Sequence, residues 1–239
     1  MGEEPWRITV CGEPGLDDID RLPFATRGEI YDDLGFVEDR PLTAFTFHPE
    51  TLNPAGSAEA IATILDAAGK IDSQIVFTYP NADAGSQPII DAIKTFCSHR
   101  EDCQFHPSLG RVRYYNLLKY VGCMVGNSSS GIVEAASFNL PVVNIGDRQK
   151  GRLNAENVIS VALNRDAILK AWTKALSGEF RQSLAGLKNP FSRGGAVETI
   201  LSVLKATPFD KTLITKRFIE MRPGSGDPHM ADSRAEPAA

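Results

Sequence analysis

Short apolar runs of strand length alternate with helix-period stretches along most of this chain, and that alternation leaves few folds open. Residues 42–47, 74–78 and 121–125 are near-continuously apolar, as strands must be when both faces of their sheet are covered. Further strands are predicted over 7–11, 103–105, 141–145 and 158–161. Between them, Ile61, Ile64, Leu65 and Ala68 recur at helical spacing, as do Ile89, Ile90, Ile93 and Phe96. Helices are predicted over 26–34, 57–68, 87–96, 111–119 and 131–137, and then over 165–176, 179–186, 195–205 and 209–221. Such a pattern predicts an α/β fold: a Rossmann-like parallel sheet with helices on both faces. Residues 1–221 read as one lobe. The segment 222–239 holds mostly Pro, Gly, Ser, Ala and charge; it has too little apolar surface to offset the entropy of ordering and is expected to be disordered.

Length and charge narrow the partners. A chain of 239 residues can bury roughly 70–75% of its unfolded surface, so its core needs no metal or disulfide. With 25 basic and 30 acidic residues the net charge is −5. This argues against nucleic acid, which needs a basic face, but not against a small phosphorylated ligand. Cys11, Cys97, Cys103 and Cys123 contain no C-x-x-C pair, so no zinc site is expected and the thiols are read as reduced. No metal and no cofactor are expected. The acidic start, residues 1–5, lacks the apolar stretch of a signal peptide. No apolar run approaches the roughly 18 residues of a membrane span. A cytoplasmic location without a membrane partner is expected.

In an open parallel sheet, ligands bind beyond the carboxyl ends of the strands. The residues just past each predicted strand are therefore informative. His48-Pro49-Glu50, Tyr79 to Gly85, His106 to Gly110, Asn127 to Gly131 and Gly146 to Gln149 all fall at that edge. Any one such loop is polar because loops are polar; their shared edge points to one site. The Asn-Ser-Ser-Ser-Gly run joins an apolar strand to a predicted helix start. Free N–H groups and serine hydroxyls there suit a phosphate, although one serine would suffice as a plain N-cap. Neither a P-loop nor a dinucleotide fingerprint is present. Glu134 is either a favourable charge in the first helical turn or a carboxylate for ribose hydroxyls. Arg148 is either a solvated charge or a phosphate ligand. His48 is either structural or a phosphate ligand.

The run from Val125 to Glu134 (VGNSSSGIVE), together with 141–146 (PVVNIG) and 148–152 (RQKGR), resembles the hydrolysing UDP-N-acetylglucosamine 2-epimerases of sialic-acid and related sugar biosynthesis. Phe47-His48-Pro49, residues 79–85 (YPNADAG), Asn189-Pro190-Phe191, Gly194-Gly195-Ala196 and Lys216-Arg217-Phe218 are similar too. The resemblance covers about residues 5–220. It implies the C-terminal lobe of a two-lobed GT-B fold, with UDP or a UDP-N-acetylhexosamine as ligand. Ser128 and Ser129 would bind the diphosphate, with His48 and Arg148 nearby. Glu134 would hold the ribose hydroxyls, Asn81 would contact the nucleotide, and Leu109 would meet the uracil. His48 is also the catalytic candidate, acting at the diphosphate leaving group. The implied reaction eliminates UDP to a glycal, and water then adds to give the 2-epimer, N-acetylmannosamine. In that family the proton-transfer carboxylates belong to an N-terminal lobe. This chain then reads as a binding lobe that is inactive without that missing partner, with a bare face that promotes homo-oligomers. Asp147 stands where the family often has Thr, and Phe191 where Tyr is common. The alternatives are a non-enzymatic UDP-sugar binding module and a GT-B glycosyltransferase lobe.

Overall fold

A computed structural model of the chain describes residues 2–50 and 56–219. The tail expected to be disordered, 222–239, lies outside them. Six strands pair in parallel: β1 (Leu42–Thr46), β2 (Gln74–Thr78), β3 (Cys103–His106), β4 (Cys123–Gly126), β5 (Val142–Ile145) and β6 (Val158–Val161). Their spatial order is β3-β2-β1-β4-β5-β6. Chain order runs one way from β1 to β3 and the other way from β4 to β6. The sheet therefore has a topological switch point between β1 and β4, where a crevice opens beyond the strand ends. Thr43 to Thr46 pair with Cys123 to Gly126, so these two strands end level with each other.

Both faces of the sheet are covered. One core packs α2 (Ser57–Ala68), α3 (Ser86–Ser98) and α6 (Arg165–Leu176) on the sheet through Ile61, Ile64, Ile89, Ile93 and Trp172. The other packs α1 (Arg27–Leu34) and α4 (Gly110–Tyr120) through Ile30, Leu34, Leu117 and Leu118. Side chains alternate along β1: Leu42 and Ala44 enter the second core, Phe45 and Phe47 the first. This period of two carries past the end of the strand and decides which side each later residue serves. α1 starts where expected because Thr26 and Glu29 form a reciprocal capping box.

Three sequence expectations are corrected. Residues 7–11 form no strand: Pro5–Arg7 is a single 3-10 turn, and Ile8 and Val10 are 56% and 54% exposed. Arg7 instead ties this segment to the C-terminal part of the chain, donating to the carbonyls of Thr212, Leu213 and Thr215. The helix expected over 131–137 is one α-turn, α5 (Ser130–Val133), succeeded by a 3-10 turn, Ala135–Phe138. It stops because Asn139 takes a left-handed conformation (φ 49°) that returns the chain to β5. The terminal helices are α7 (Gly178–Ser183), α8 (Ala196–Ala206) and α9 (Lys211–Ile214). The last falls well short of 209–221, with β-branched Thr215 ending it.

Candidate functional site

The crevice at the switch point begins with a glycine. Gly126 ends β4 at φ 134°, and a Cβ there would lie 1.9 Å from the carbonyl oxygen of Thr46. No other residue lets the β4 backbone approach the end of β1 so closely. The next residue exploits that approach. Asn127, 1% exposed, receives the His48 N–H at its Oδ1 (2.7 Å) and donates Nδ2 to the His48 carbonyl (2.9 Å). Its own N–H donates to Thr46 O at 3.2 Å. Its carbonyl accepts from Arg148 Nη1 (3.0 Å) and Gln149 Nε2 (2.7 Å). One asparagine thus locks together the turns after β1, β4 and β5.

His48 is half-buried, and its tautomer is set by its neighbour. The Asn81 N–H donates to His48 Nδ1 at 2.9 Å. Asn81 Oδ1 also lies 3.1 Å from Nδ1 and accepts from it only when the ring is charged; a backbone N–H can only donate, so in the neutral ring Nδ1 accepts it and Nε2 carries the proton. Burial pulls the His48 pKa below the usual histidine value, and the charge of Arg148 adds to this, while Asn81 and Asp83 oppose it. Neutral His48 then presents an N–H donor to the crevice. The Asn81 side chain, in turn, donates to Asp83.

The serine turn supplies more donors. Ser128 Oγ accepts the N–H of Ser130 (3.3 Å), and the Ser128 carbonyl accepts that of Gly131 (3.2 Å). The amides of Ser128 and Ser129, and the Ser129 hydroxyl, have no acceptor or partner among the described residues. α5 is too short for a substantial macrodipole, so an anion here would be held by discrete N–H and O–H groups rather than by a long helix. Glu134 Oε1 accepts from the Tyr115 hydroxyl at 3.2 Å, and Tyr114 donates to Ser130 Oγ at 2.7 Å. Burial raises the pKa of Tyr114, keeping that hydroxyl a protonated donor.

These groups surround a cleft of about 500 Å³. Of the residues singled out in the sequence, His48, Leu109, Ser128 and Glu134 line it, together with Tyr79 and Arg111. Ser129, Asn81 and Arg148 do not line it. Ser129 is the next residue of the serine turn, Asn81 acts through the His48 ring, and Arg148 reaches the turn through the Asn127 carbonyl. Arg148 has no carboxylate partner within ion-pair distance among the described residues. Burial, then the charge of Arg152, lowers its pKa from the ordinary guanidinium value, against the pull of Asp83. It is a cation bonded to the carbonyl of the residue that precedes the serine turn, a charge suited to an anion with two or more oxygens. Leu109 (9% exposed) gives the far end an apolar contact beside Pro107 and the stacked Tyr79–Phe105 pair. The cleft therefore offers donors for an anion, a carboxylate for hydroxyls and an apolar end for a flat ring. Sequence reasoning missed the clamp of Asn127 and the hydroxyls of Tyr114 and Tyr115. The asparagine sat within the motif, whereas the tyrosines looked like one more helix face.

Among the described residues no helix is long and apolar enough to cross a membrane. A family model described as UDP-N-acetylglucosamine 2-epimerase matches residues 1–205. The UDP-N,N'-diacetylbacillosamine 2-epimerase (hydrolyzing) of Legionella pneumophila is 33% identical over 216 residues, covering 90% of this chain and 56% of that protein. The GDP/UDP-N,N'-diacetylbacillosamine 2-epimerase (hydrolyzing) of Campylobacter jejuni is 34% identical over 226 residues, covering 92% and 58%. Among solved structures, the Methanocaldococcus jannaschii UDP-GlcNAc 2-epimerase in complex with UDP-GlcNAc and UDP superposes with a TM-score of 0.65 at 18% identity, over 86% of this chain and 57% of that one. The chain spans about half the length of the curated relatives it matches.

Proposed function

The chain belongs to the UDP-N-acetylglucosamine 2-epimerase family, and from that premise we propose that it is the UDP-binding lobe of a hydrolysing 2-epimerase acting on a UDP-linked 2-acetamido sugar. The observation that carries this reading is the switch-point cleft, where free serine donors, the His48 ring and Glu134 converge. The diphosphate would lie against the Ser128 and Ser129 amides and hydroxyls. His48 Nε2–H and the Arg148 guanidinium would meet its outer oxygens. Glu134, oriented by Tyr115, would accept from the ribose hydroxyls, and uracil would rest on Leu109. The names of the Legionella and Campylobacter relatives favour a diacetamido sugar among the acetamido sugars.

In this role His48 is a donor to the leaving UDP. An elimination that expels UDP builds charge on the diphosphate, and fixed donors aimed at that charge lower the barrier. The proton on C2 needs a base within about 3 Å. Glu134 is the carboxylate among the described residues lining the cleft, and the ribose already occupies it in this scheme. Proton abstraction and hydration would therefore fall to a second lobe. Exposed apolar side chains support that division: Trp6, Ile8 and Val10 lie uncovered, as do Val197, Leu201 and Leu204, which recur at helical spacing along α8. An uncovered apolar helix face marks a surface that docks. The test is to incubate the 239-residue chain with UDP-N-acetylglucosamine and to measure released UDP and UDP affinity together. Binding without release is expected. Catalytic release by this chain alone would overturn the division of labour, and absence of UDP binding would overturn the site.

A further inference from the structure

Glu134 stands at a break in a helix. Its N–H donates to Ser130 O at 2.9 Å, closing the α-turn of α5. Its carbonyl accepts the Ser137 N–H at 3.0 Å, within the 3-10 turn that succeeds α5. In an uninterrupted α-helix that Ser137 N–H would serve the Val133 carbonyl instead. The change of helix type therefore takes the usual donor away from Val133 O. The backbone at Glu134 is displaced from helical values, with φ −101°. A carbonyl left in this way needs a donor from elsewhere, and a fixed donor holds the break in one shape where water would not.

The donor comes from 56 residues away. Asn189 Nδ2 donates to the Val133 carbonyl at 2.7 Å and to Ser137 Oγ at 2.7 Å, so it is bonded on both sides of the break. The amide cannot turn over without loss. Its Oδ1 accepts the Phe191 N–H at 2.9 Å, and a backbone N–H can only donate, so Nδ2 is the end that faces the break. The loop is anchored in turn. The Phe191 carbonyl accepts the Glu13 N–H at 2.8 Å. Gly12 allows that approach: a Cβ there (φ 88°) would fall 3.0 Å from the same carbonyl oxygen.

Tyr115 fixes one end of the Glu134 carboxylate: its hydroxyl donates to Oε1 at 3.2 Å, while Oε2 has no partner among the described residues. Where the carboxylate sits is otherwise set by the backbone over 133–137, and Asn189 holds that backbone. Glu134 lines the cleft and Asn189 does not, so an effect of Asn189 on a ligand would run through the turn. We propose that Asn189 is a positioning residue for ribose recognition, holding the helix break from which Glu134 enters the cleft; the assignment rests on the nucleotide reading above.

The test compares the affinities of UDP and 2′-deoxy-UDP, by calorimetry, for the wild-type chain, Glu134→Ala, Asn189→Ala and Asn189→Asp, and for each Asn189 change combined with Glu134→Ala. Asn189→Asp keeps an acceptor for the Phe191 N–H and loses the donor. The wild type is expected to prefer UDP over 2′-deoxy-UDP about tenfold, the size of one hydrogen bond to a charged group. Glu134→Ala should abolish that preference. Both Asn189 variants should lose most of it while binding 2′-deoxy-UDP as the wild type does. In the Glu134→Ala background neither should cost further affinity, a result that general loosening of the fold would not reproduce. Equal weakening of both nucleotides, or losses that add to that of Glu134→Ala, would overturn the positioning role and leave the nucleotide site standing; so would failure of both Asn189 variants to fold. If the wild type binds no UDP, or if Glu134→Ala keeps the preference, the ribose reading of Glu134 fails and the role of Asn189 falls with it.

Discussion

The crevice and the terminal face of this molecule break the usual rule of burial in opposite senses. At the crevice, polar side chains are buried and bonded to backbone: Asn127 holds the His48 N–H and carbonyl, and Gln149 donates Nε2 to the Asn127 carbonyl, while its Oε1 has no partner among the described residues. On the terminal face, large apolar side chains are exposed, with Leu204 at 54% and Phe209 at 84%. The first region is organised before any ligand arrives. The second is unfinished surface that gains by being covered. This difference suits the binding lobe proposed above: an organised wall for a ligand and an uncovered back.

Breaking the crevice should cost most. Gly126→Ala sets a Cβ against Thr46 O at a backbone angle other residues avoid. A loss on the order of 3 kcal/mol is expected, read as a lower urea midpoint at unchanged slope. Asn127→Ala leaves the His48 N–H and carbonyl without their partner. That should cost about 1–3 kcal/mol of stability and weaken UDP binding further by freeing the His48 turn, whereas a change of one without the other would contradict the clamp. On the terminal face, a paired Leu201→Glu and Leu204→Glu change should leave stability within about 0.5 kcal/mol. The unaltered chain is expected to self-associate through this face, and the doubly substituted chain to show a sedimentation mass that does not vary with concentration.

The smallest expected effect is on pH. Burial, then Arg148, lowers the His48 pKa, and burial, then Arg113, lowers that of His106. Unfolded histidines take up protons near pH 6.5, whereas these two do so only at lower pH when folded. The unfolded state therefore binds more protons in that interval. Stability should fall as pH drops from about 6.5 and level off below the folded values. Arg148→Ala should raise the His48 midpoint, measured on its ring protons, because a neighbouring positive charge is gone.

The sheet was legible in the sequence because β1, β2 and β4 are buried on both faces and so read as near-continuous apolar runs. Residues 7–11 misled because alternation of Ile8 and Val10 with polar neighbours fits an edge strand, and only the tertiary pairing decides whether an edge is used. The family resemblance carried the chain to its family. Four of the predicted ligand residues line one cleft. The Asn127 clamp was not legible, because it joins side chain to backbone across 79 residues and leaves no local spacing.

Whether the serine turn and Arg148 hold a diphosphate is the central question for this chain. Calorimetric titration of UDP into the wild-type chain, Ser129→Ala and Arg148→Ala tests that directly. The prediction is one-site binding, weakened about tenfold in Arg148→Ala through loss of a charge-assisted bond and weakened less in Ser129→Ala. Binding that ignores both substitutions, or no binding at millimolar UDP, would contradict it.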